Sequence, residues 1–286
     1  MKIGFIGLGN MGRPMAERLI AAGYDVTGFD IVPPQGASIP LASSASAAAS
    51  GCDIVITMLA NGAIVTDVIT QLIPTLSQGA LLIDCSTIDV ADARACDALC
   101  TQAGIGYLDA PVSGGIAGAA AGSLAFMVGG DDTPFERAMP LFEVMGAKIV
   151  HCGASGAGQA AKICNNMILG VTMIATCEGF ALADKLGLDR QALYDVVSGA
   201  SGQSWSMTSY CPAPMIGPKS PSDNDYKPGF SADLMLKDLR LSQMAAQATG
   251  AETQMGALAT ELYRRFVEEG EGSGQDFSAM LKALTS

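Results

Sequence analysis

Short, nearly unbroken apolar runs recur through the first half of the chain. Ile3 to Ile6, Asp53 to Leu59, Ala80 to Ser86, Gly106 to Val112, Ala125 to Gly130 and Lys148 to Cys152 each read as a strand buried on both faces, and Asp25 to Asp30 reads as a further strand. Helical periodicity fills the intervals. Continuous apolar strands alternating with helices predict an α/β fold, a Rossmann-type, doubly wound and mostly parallel sheet covered on both faces. The alternation stops near Gly153. From there the patterns are helical, over 159–187, 189–199, 231–249, 251–269 and 275–284, while 206–229 is rich in Pro, Ser, Asp and Gly and predicts a long ordered loop. The Ala/Ser run at 42–50 predicts a capped helix rather than a linker. The expected organisation is a dinucleotide-binding domain over 1–158 and an all-helical domain over 159–286, opened by a long helix at 159–187.

The first strand runs straight into Gly7-Leu8-Gly9-Asn10-Met11-Gly12, and a helical stretch follows from Arg13. A Gly-x-Gly-x-x-Gly turn in this position lets a pyrophosphate approach bare backbone at a helix N-terminus, where N–H groups point outward and the dipole favours anions. The motif alone is weak; the strand before it, the helix after it and Asp30 at the end of the second strand give it context. Asp30 can accept hydrogen bonds from both adenosine ribose hydroxyls and would repel a 2′-phosphate. The following Ile31-Val32-Pro33-Pro34 offers no cation to attract one, so NAD is expected over NADP. The plainer reading of Asp30 is a loop cap.

Composition narrows the classes. The 286 residues are 49% apolar, ample for a substantial core, and the net charge of −12 with no basic run argues against nucleic acid. Eight cysteines show neither a Cys-x-x-Cys pair nor a Cys/His cluster, so no metal site is expected, and a reducing cytoplasm is the simplest setting. The first strand is read from residue 2, so no signal or transit peptide is expected within this sequence. The charge-free apolar stretch between Lys162 and Glu178 is shorter than the roughly 20 residues a membrane span needs, so it is read as a helix buried between protein layers.

An alcohol-oxidising nicotinamide enzyme needs a group to move the hydroxyl proton. The single His, His151, sits at a strand end and reads as structural. No Tyr-x-x-x-Lys occurs, and a zinc ligand set is missing. Lys162 follows the glycine-rich 153–158 near the start of a helix. Asn166 lies at i+4 on the same face, with Asn165 nearby at i+3. Spacing alone leaves two readings open, a proton-transfer lysine and a lysine snorkelling from an amphipathic helix. Asp109-Ala110-Pro111-Val112-Ser113-Gly114-Gly115 ends a strand at the carboxyl edge of the sheet. Ser113 with the N–H groups of Gly114 and Gly115 makes either a nest for a carboxylate or an ordinary glycine turn.

Together these segments resemble the β-hydroxyacid dehydrogenase family nearly end to end. The glycine turn continuing to Ala16, the Asp109–Gly115 segment and Gly158-x-x-x-Lys162-x-x-Asn165-Asn166 match its three principal motifs in order, with Ser86-Thr87-Ile88 and Lys237-Asp238-Leu239 beside them. The resemblance implies that Lys162 is the catalytic acid/base, that Asn166 and Asn165 help place substrate, and that Ser113, Gly114 and Gly115 hold its carboxylate. It also implies that Thr87, Lys237, Met58 and Leu59 lie near the nicotinamide. The stretches 198–206, Tyr210-x-Pro212-x-Pro214 and Asn224-x-Tyr226-x-Pro228-Gly229-Phe230 are most similar to members that oxidise 3-hydroxyisobutyrate with NAD. In such a pocket Trp205 and Phe230 would line the apolar side; helical-domain core is the competing reading. Tartronate semialdehyde reductase and 4-hydroxybutyrate enzymes share these motifs, and a non-catalytic NAD-binding module is a more remote alternative. The resemblance further implies a role in valine breakdown, and the apolar helices suggest a homodimer or homotetramer with no membrane partner.

Overall fold

The computed structural model describes residues 1–36 and 38–285. The chain divides into two compact units, Met1–Lys162 and Ile163–Ser286.

In the first unit the order is β1 (Lys2–Ile6), α1 (Gly12–Ala21), β2 (Asp25–Phe29), α2 (Ala45–Ala49), β3 (Ile54–Thr57), α3 (Gly62–Leu72), β4 (Leu81–Asp84), α4 (Val90–Gln102), β5 (Gly106–Asp109), β6 (Val112–Ser113), α5 (Gly115–Ala121), β7 (Leu124–Gly129), α6 (Asp132–Met145), β8 (Gly146–Gly153) and the start of α7 (Ala157–Leu186). The sheet order is β2-β1-β3-β4-β5-β7-β6, with β8 paired to β7. Alternate strand residues enter different cores. Ile54, Ile56, Leu81 and Ile83 join Ile3, Phe5, Met15 and Phe142, while Val55 meets Leu72 and Leu82 meets Val65 and Cys96. Burial on both faces is why the strands read as unbroken apolar runs.

The expected parallel sheet holds from β2 through β5. Beyond it, β7 pairs antiparallel with β5 and with β6. The run expected as one strand over 106–112 is broken after Asp109. Pro111 has no N–H for a ladder, and its carbonyl instead accepts the Met127 N–H at 3.1 Å. The Ala/Ser run forms the short α2, capped by Ser44, whose hydroxyl accepts the Ala47 N–H at 3.0 Å.

The second unit contains the rest of α7, then α8 (Arg190–Val197), α9 (Trp205–Thr208), α10 (Ala232–Thr249), α11 (Gln254–Arg264) and α12 (Met280–Thr285). Its core gathers Met173, Cys177, Phe180, Met235, Leu239, Tyr263 and Phe277. Ser231 caps α10 at one end and Gly250 ends it in the left-handed region, φ 72°. Two helical expectations and one loop expectation change in detail. The expected 251–269 helix passes into a π-helical turn at Arg265–Glu269, a 3-10 turn at Phe277–Ala279 precedes α12, and the expected loop begins with the single turn of α9. By length and composition α7 suffices to cross a membrane, contrary to the estimate from its charge-free stretch. That estimate stopped at Lys162 and Glu178, whereas the helix runs on through both. Within it the polar Gln159, Lys162 and Asn166 are buried in protein.

Candidate active site

Register brings the site's parts to one edge. Ile6 is level with Phe29 and Thr57, Thr57 with Asp84, and Asp84 with Asp109. The residues following these strands therefore emerge side by side at the carboxyl ends, and the order reverses between β1 and β3, the switch point where open α/β sheets bind ligands. Gly7 sits there at φ 95°. A Cβ on Gly7 would strike the Met58 carbonyl, and one on Gly12 would strike the Gly7 carbonyl, whereas a Cβ on Gly9 would meet nothing within 4 Å. Gly7 and Gly12 are bare because protein backbone approaches them. Gly9 and Asn10 face open space at the start of α1, while the Leu8 side chain is buried and Met11 is half-buried. This cradle fits a dinucleotide pyrophosphate on backbone N–H groups.

Asp30 follows β2 and accepts the Leu8 N–H on Oδ2 at 2.6 Å and the Val32 N–H on Oδ1 at 2.8 Å. It thus caps its loop and ties the glycine turn to β2. Each carboxylate oxygen has a further lone pair available to a ribose hydroxyl.

Three strand ends are joined by buried hydrogen bonds. Asp84 Oδ1 accepts the Thr57 hydroxyl at 2.7 Å and the Ser86 hydroxyl at 2.6 Å. Ser86 Oγ in turn accepts the Leu59 N–H at 2.8 Å. Gln159, fully buried in the first turn of α7, donates from Nε2 to the Ser86 carbonyl at 2.7 Å and accepts the Ile88 N–H at 3.1 Å. Asp109 accepts the N–H groups of Gly156 at 2.7 Å and Gln159 at 2.8 Å, so it caps the start of α7 from across the sheet edge. Burial pushes its carboxyl up to about 6 despite those bonds. Gly158 lies so close to the Met127 and Asp109 carbonyls that only glycine fits. Lys162, one turn further along α7, is buried. Ser113 is half-buried at the end of β6, and Gly114 and Gly115 follow at φ 136° and 63°, left-handed backbone that favours glycine.

His151 has the structural role expected. Its Nε2 lies 2.7 Å from the Gly130 carbonyl and its ring stacks on Phe135 at 4.4 Å. All eight cysteines are free thiols. Among the described residues no three His, Cys, Asp or Glu side chains gather as a metal site.

In the second unit, Asn166 donates to the buried Asp238 carboxylate and accepts the Asn165 amide at 2.9 Å. Lys237 lies 3.4 Å from the other Asp238 oxygen. Phe230 is half-buried and packs edge-on against Phe277 at 5.6 Å, on the outside of the core. Its N–H and that of Gly229 are held by Asp276 at 3.1 and 3.0 Å. Trp205 is half exposed and stacks on Tyr210 at 4.9 Å, which removes it from the core. A cleft of 580 Å³ between Met167–Thr172 and Glu252–Gly256 contains none of the candidate residues.

Sequence reasoning gave no individual role to Asp84, Gln159, Asp238 or Asp276. For Asp84 and Gln159 the available signal was an isolated polar residue among apolar or small neighbours, since such a group is buried only with partners; Asp238 and Asp276 sit among other polar residues and gave none.

A glycine cradle at the switch point, an acidic residue beyond β2 and a buried lysine define a nicotinamide-dinucleotide oxidoreductase. Residues 2–153 match the family model for the NAD-binding domain of 6-phosphogluconate dehydrogenase, and 156–284 match that for the NAD-binding region of NADP-dependent 3-hydroxyisobutyrate dehydrogenase. A Mycobacterium tuberculosis protein named probable 3-hydroxyisobutyrate dehydrogenase is 49% identical, over 99% of this chain and 97% of its own length. A Pseudomonas aeruginosa protein named NAD-dependent L-serine dehydrogenase is 45% identical over 98% and 97%. The solved structure of Mycobacterium tuberculosis 3-hydroxyisobutyrate dehydrogenase with L-serine superposes with a TM-score of 0.95 at 48% identity, covering 100% of this chain and 99% of that one. The chain belongs to the β-hydroxyacid dehydrogenase family and is an NAD-dependent oxidoreductase.

Proposed function

We propose that the chain catalyses the reversible oxidation of 3-hydroxyisobutyrate to methylmalonate semialdehyde, with Lys162 as the general acid/base. The observation that carries this is a buried lysine on a helix whose start is fixed by Asp109 and Gln159. A buried amine attached to a rigid helix meets the geometric demand on a proton-transfer group. The cofactor, when bound, supplies a hydride acceptor at the nicotinamide. Lys162 takes the hydroxyl proton in oxidation and returns it in reduction. Ser113 and the N–H groups of Gly114 and Gly115 receive the substrate carboxylate. Asn166 orients the substrate, its amide direction set by Asp238 and Asn165. Thr87, Lys237, Met58 and Leu59 border the nicotinamide, and Asp30 selects NAD over NADP by repelling a 2′-phosphate.

A second substrate reading, L-serine, is favoured by the relative of that name and by the L-serine held in the similar structure. Both compounds carry a carboxylate on the carbon next to the CH₂OH group; they differ by a methyl against an ammonium. Trp205 and Phe230 would favour the methyl, because an ammonium beside apolar rings without an acceptor loses solvation. NADH formation with 3-hydroxyisobutyrate, L-serine, D-glycerate and 4-hydroxybutyrate, with NADP run in parallel, decides. A higher kcat/KM for 3-hydroxyisobutyrate with NAD supports the reading; a preference for L-serine moves the substrate and keeps the chemistry. Lys162→Ala should lose nearly all turnover while retaining NAD affinity, and turnover near wild type would refute the lysine's role.

This reading implies a place in valine breakdown. Eight free thiols suit a reducing cytoplasm. Exposed Ile168, Leu182 and Leu186 on α7 favour a homodimer or homotetramer, measurable by light scattering.

A further inference from the structure

We propose that Gln159 is a positioning residue that sets Thr87, beside the cofactor, in register with Lys162. The inference rests on the reading of Lys162 as the proton-transfer group. Gln159 Nε2 donates to the Ser86 carbonyl at 2.7 Å and Oε1 accepts the Ile88 N–H at 3.1 Å. These are the peptide groups on either side of Thr87, so one amide grips the backbone both before and after it. A carbonyl only accepts and an N–H only donates, so this orientation of the amide is the one that satisfies both. Gln159 is fully buried and lies three residues before Lys162 on α7, on an adjoining part of the same helix face.

The grip is anchored at both ends. On the helix side, the Gln159 N–H is held by Asp109 Oδ2 at 2.8 Å, and Gly158 rests directly on the Met127 and Asp109 carbonyls, so α7 cannot slide along the sheet edge. On the loop side, the Ser86 hydroxyl is held by Asp84 and holds the Leu59 N–H, so the segment gripped by Gln159 also fixes the chain after β3. Hydride and proton leave the same alcohol, and their acceptors must therefore be placed together. Gln159 connects the cofactor-side segment to the helix bearing the proton acceptor.

The test compares Gln159→Met, which keeps length without either hydrogen bond, Gln159→Glu, which keeps the acceptor and loses the donor, and Lys162→Ala. For each, kcat and KM for NAD are measured across pH with 3-hydroxyisobutyrate and with L-serine, alongside the thermal midpoint. Displacement of aligned groups by about 1 Å costs on the order of 100-fold in rate, so Gln159→Met should lower kcat about 10- to 100-fold. It should also raise KM for NAD and move the midpoint of the kcat–pH profile. A purely structural role would lower the thermal midpoint and leave KM for NAD and the pH profile of the folded enzyme at wild-type values; that result, or kcat within twofold of wild type, overturns the inference. If Gln159→Met does not fold, Gln159→Glu is judged by the same criteria. If Lys162→Ala retains turnover, the proton-transfer reading fails, and this inference fails with it. Loss in Lys162→Ala with wild-type kinetics in the Gln159 variants overturns the inference alone.

Discussion

Asp109 offers a quantitative check on the buried framework. Its carboxyl is fully buried and raised from an ordinary value of 3.8 to about 6, chiefly by desolvation, with the Gly156 and Gln159 N–H groups opposing. A displacement of that size corresponds to about 3 kcal/mol. The folded state holds this proton more tightly than the unfolded state, so stability falls as pH rises from about 4 through about 6, and the full cost persists above that range. Asp109→Asn removes the titration. Its amide oxygen can accept one of the two N–H groups while its NH₂ faces the other, leaving a buried donor unpaired at a cost of about 1–3 kcal/mol. The variant should therefore melt below wild type near pH 4 and close most or all of that gap by pH 7.5. At roughly 2–4 °C per kcal/mol for a chain of this size, the difference in Tm between variant and wild type should move by about 6–12 °C across that interval. Calorimetry of both proteins in matched buffers measures it, and subtraction cancels the other titrating groups. Parallel Tm–pH curves would refute the argument that burial controls this carboxyl.

The glycine turn separates into two kinds of position. Gly12→Ala drives a Cβ into the Gly7 carbonyl and should destabilise the fold by about 1–3 kcal/mol, seen as a lower Tm. Gly9→Ala meets no protein atom within 4 Å; its Tm should stay at wild type while KM for NAD rises about tenfold or more. Asp30→Ala frees the Leu8 and Val32 N–H groups and removes the charge opposing a 2′-phosphate, so the kcat/KM ratio of NAD to NADP should shrink by at least about tenfold.

The legible parts of this protein are those encoded by residues close together in the chain. Ile3 to Ile6 predicts β1 because both faces are covered, and Gly7, Gly9 and Gly12 predict the cradle because the turn is six residues long. The break at Asp109 was hidden because Gly106 to Val112 is apolar on either side of that one carboxylate; Pro111 hinted that the ladder could not continue, and the antiparallel return through β7 depends on pairing between separated segments. The π-helical turn at Arg265–Glu269 follows a helix pattern without a stop signal, which is why the expected helix ran through it. The supports of the site were hidden for the same reason as the sheet's return. Gln159 meets Ser86 across 73 positions and Asn166 meets Asp238 across 72, and no local periodicity reports such a pair. Lys162, Ser113 and the glycines lie in short motifs that neighbouring residues make legible. Gln159, Asp84 and Asp238 act by holding one motif against another, and that function exists only once the chain has folded.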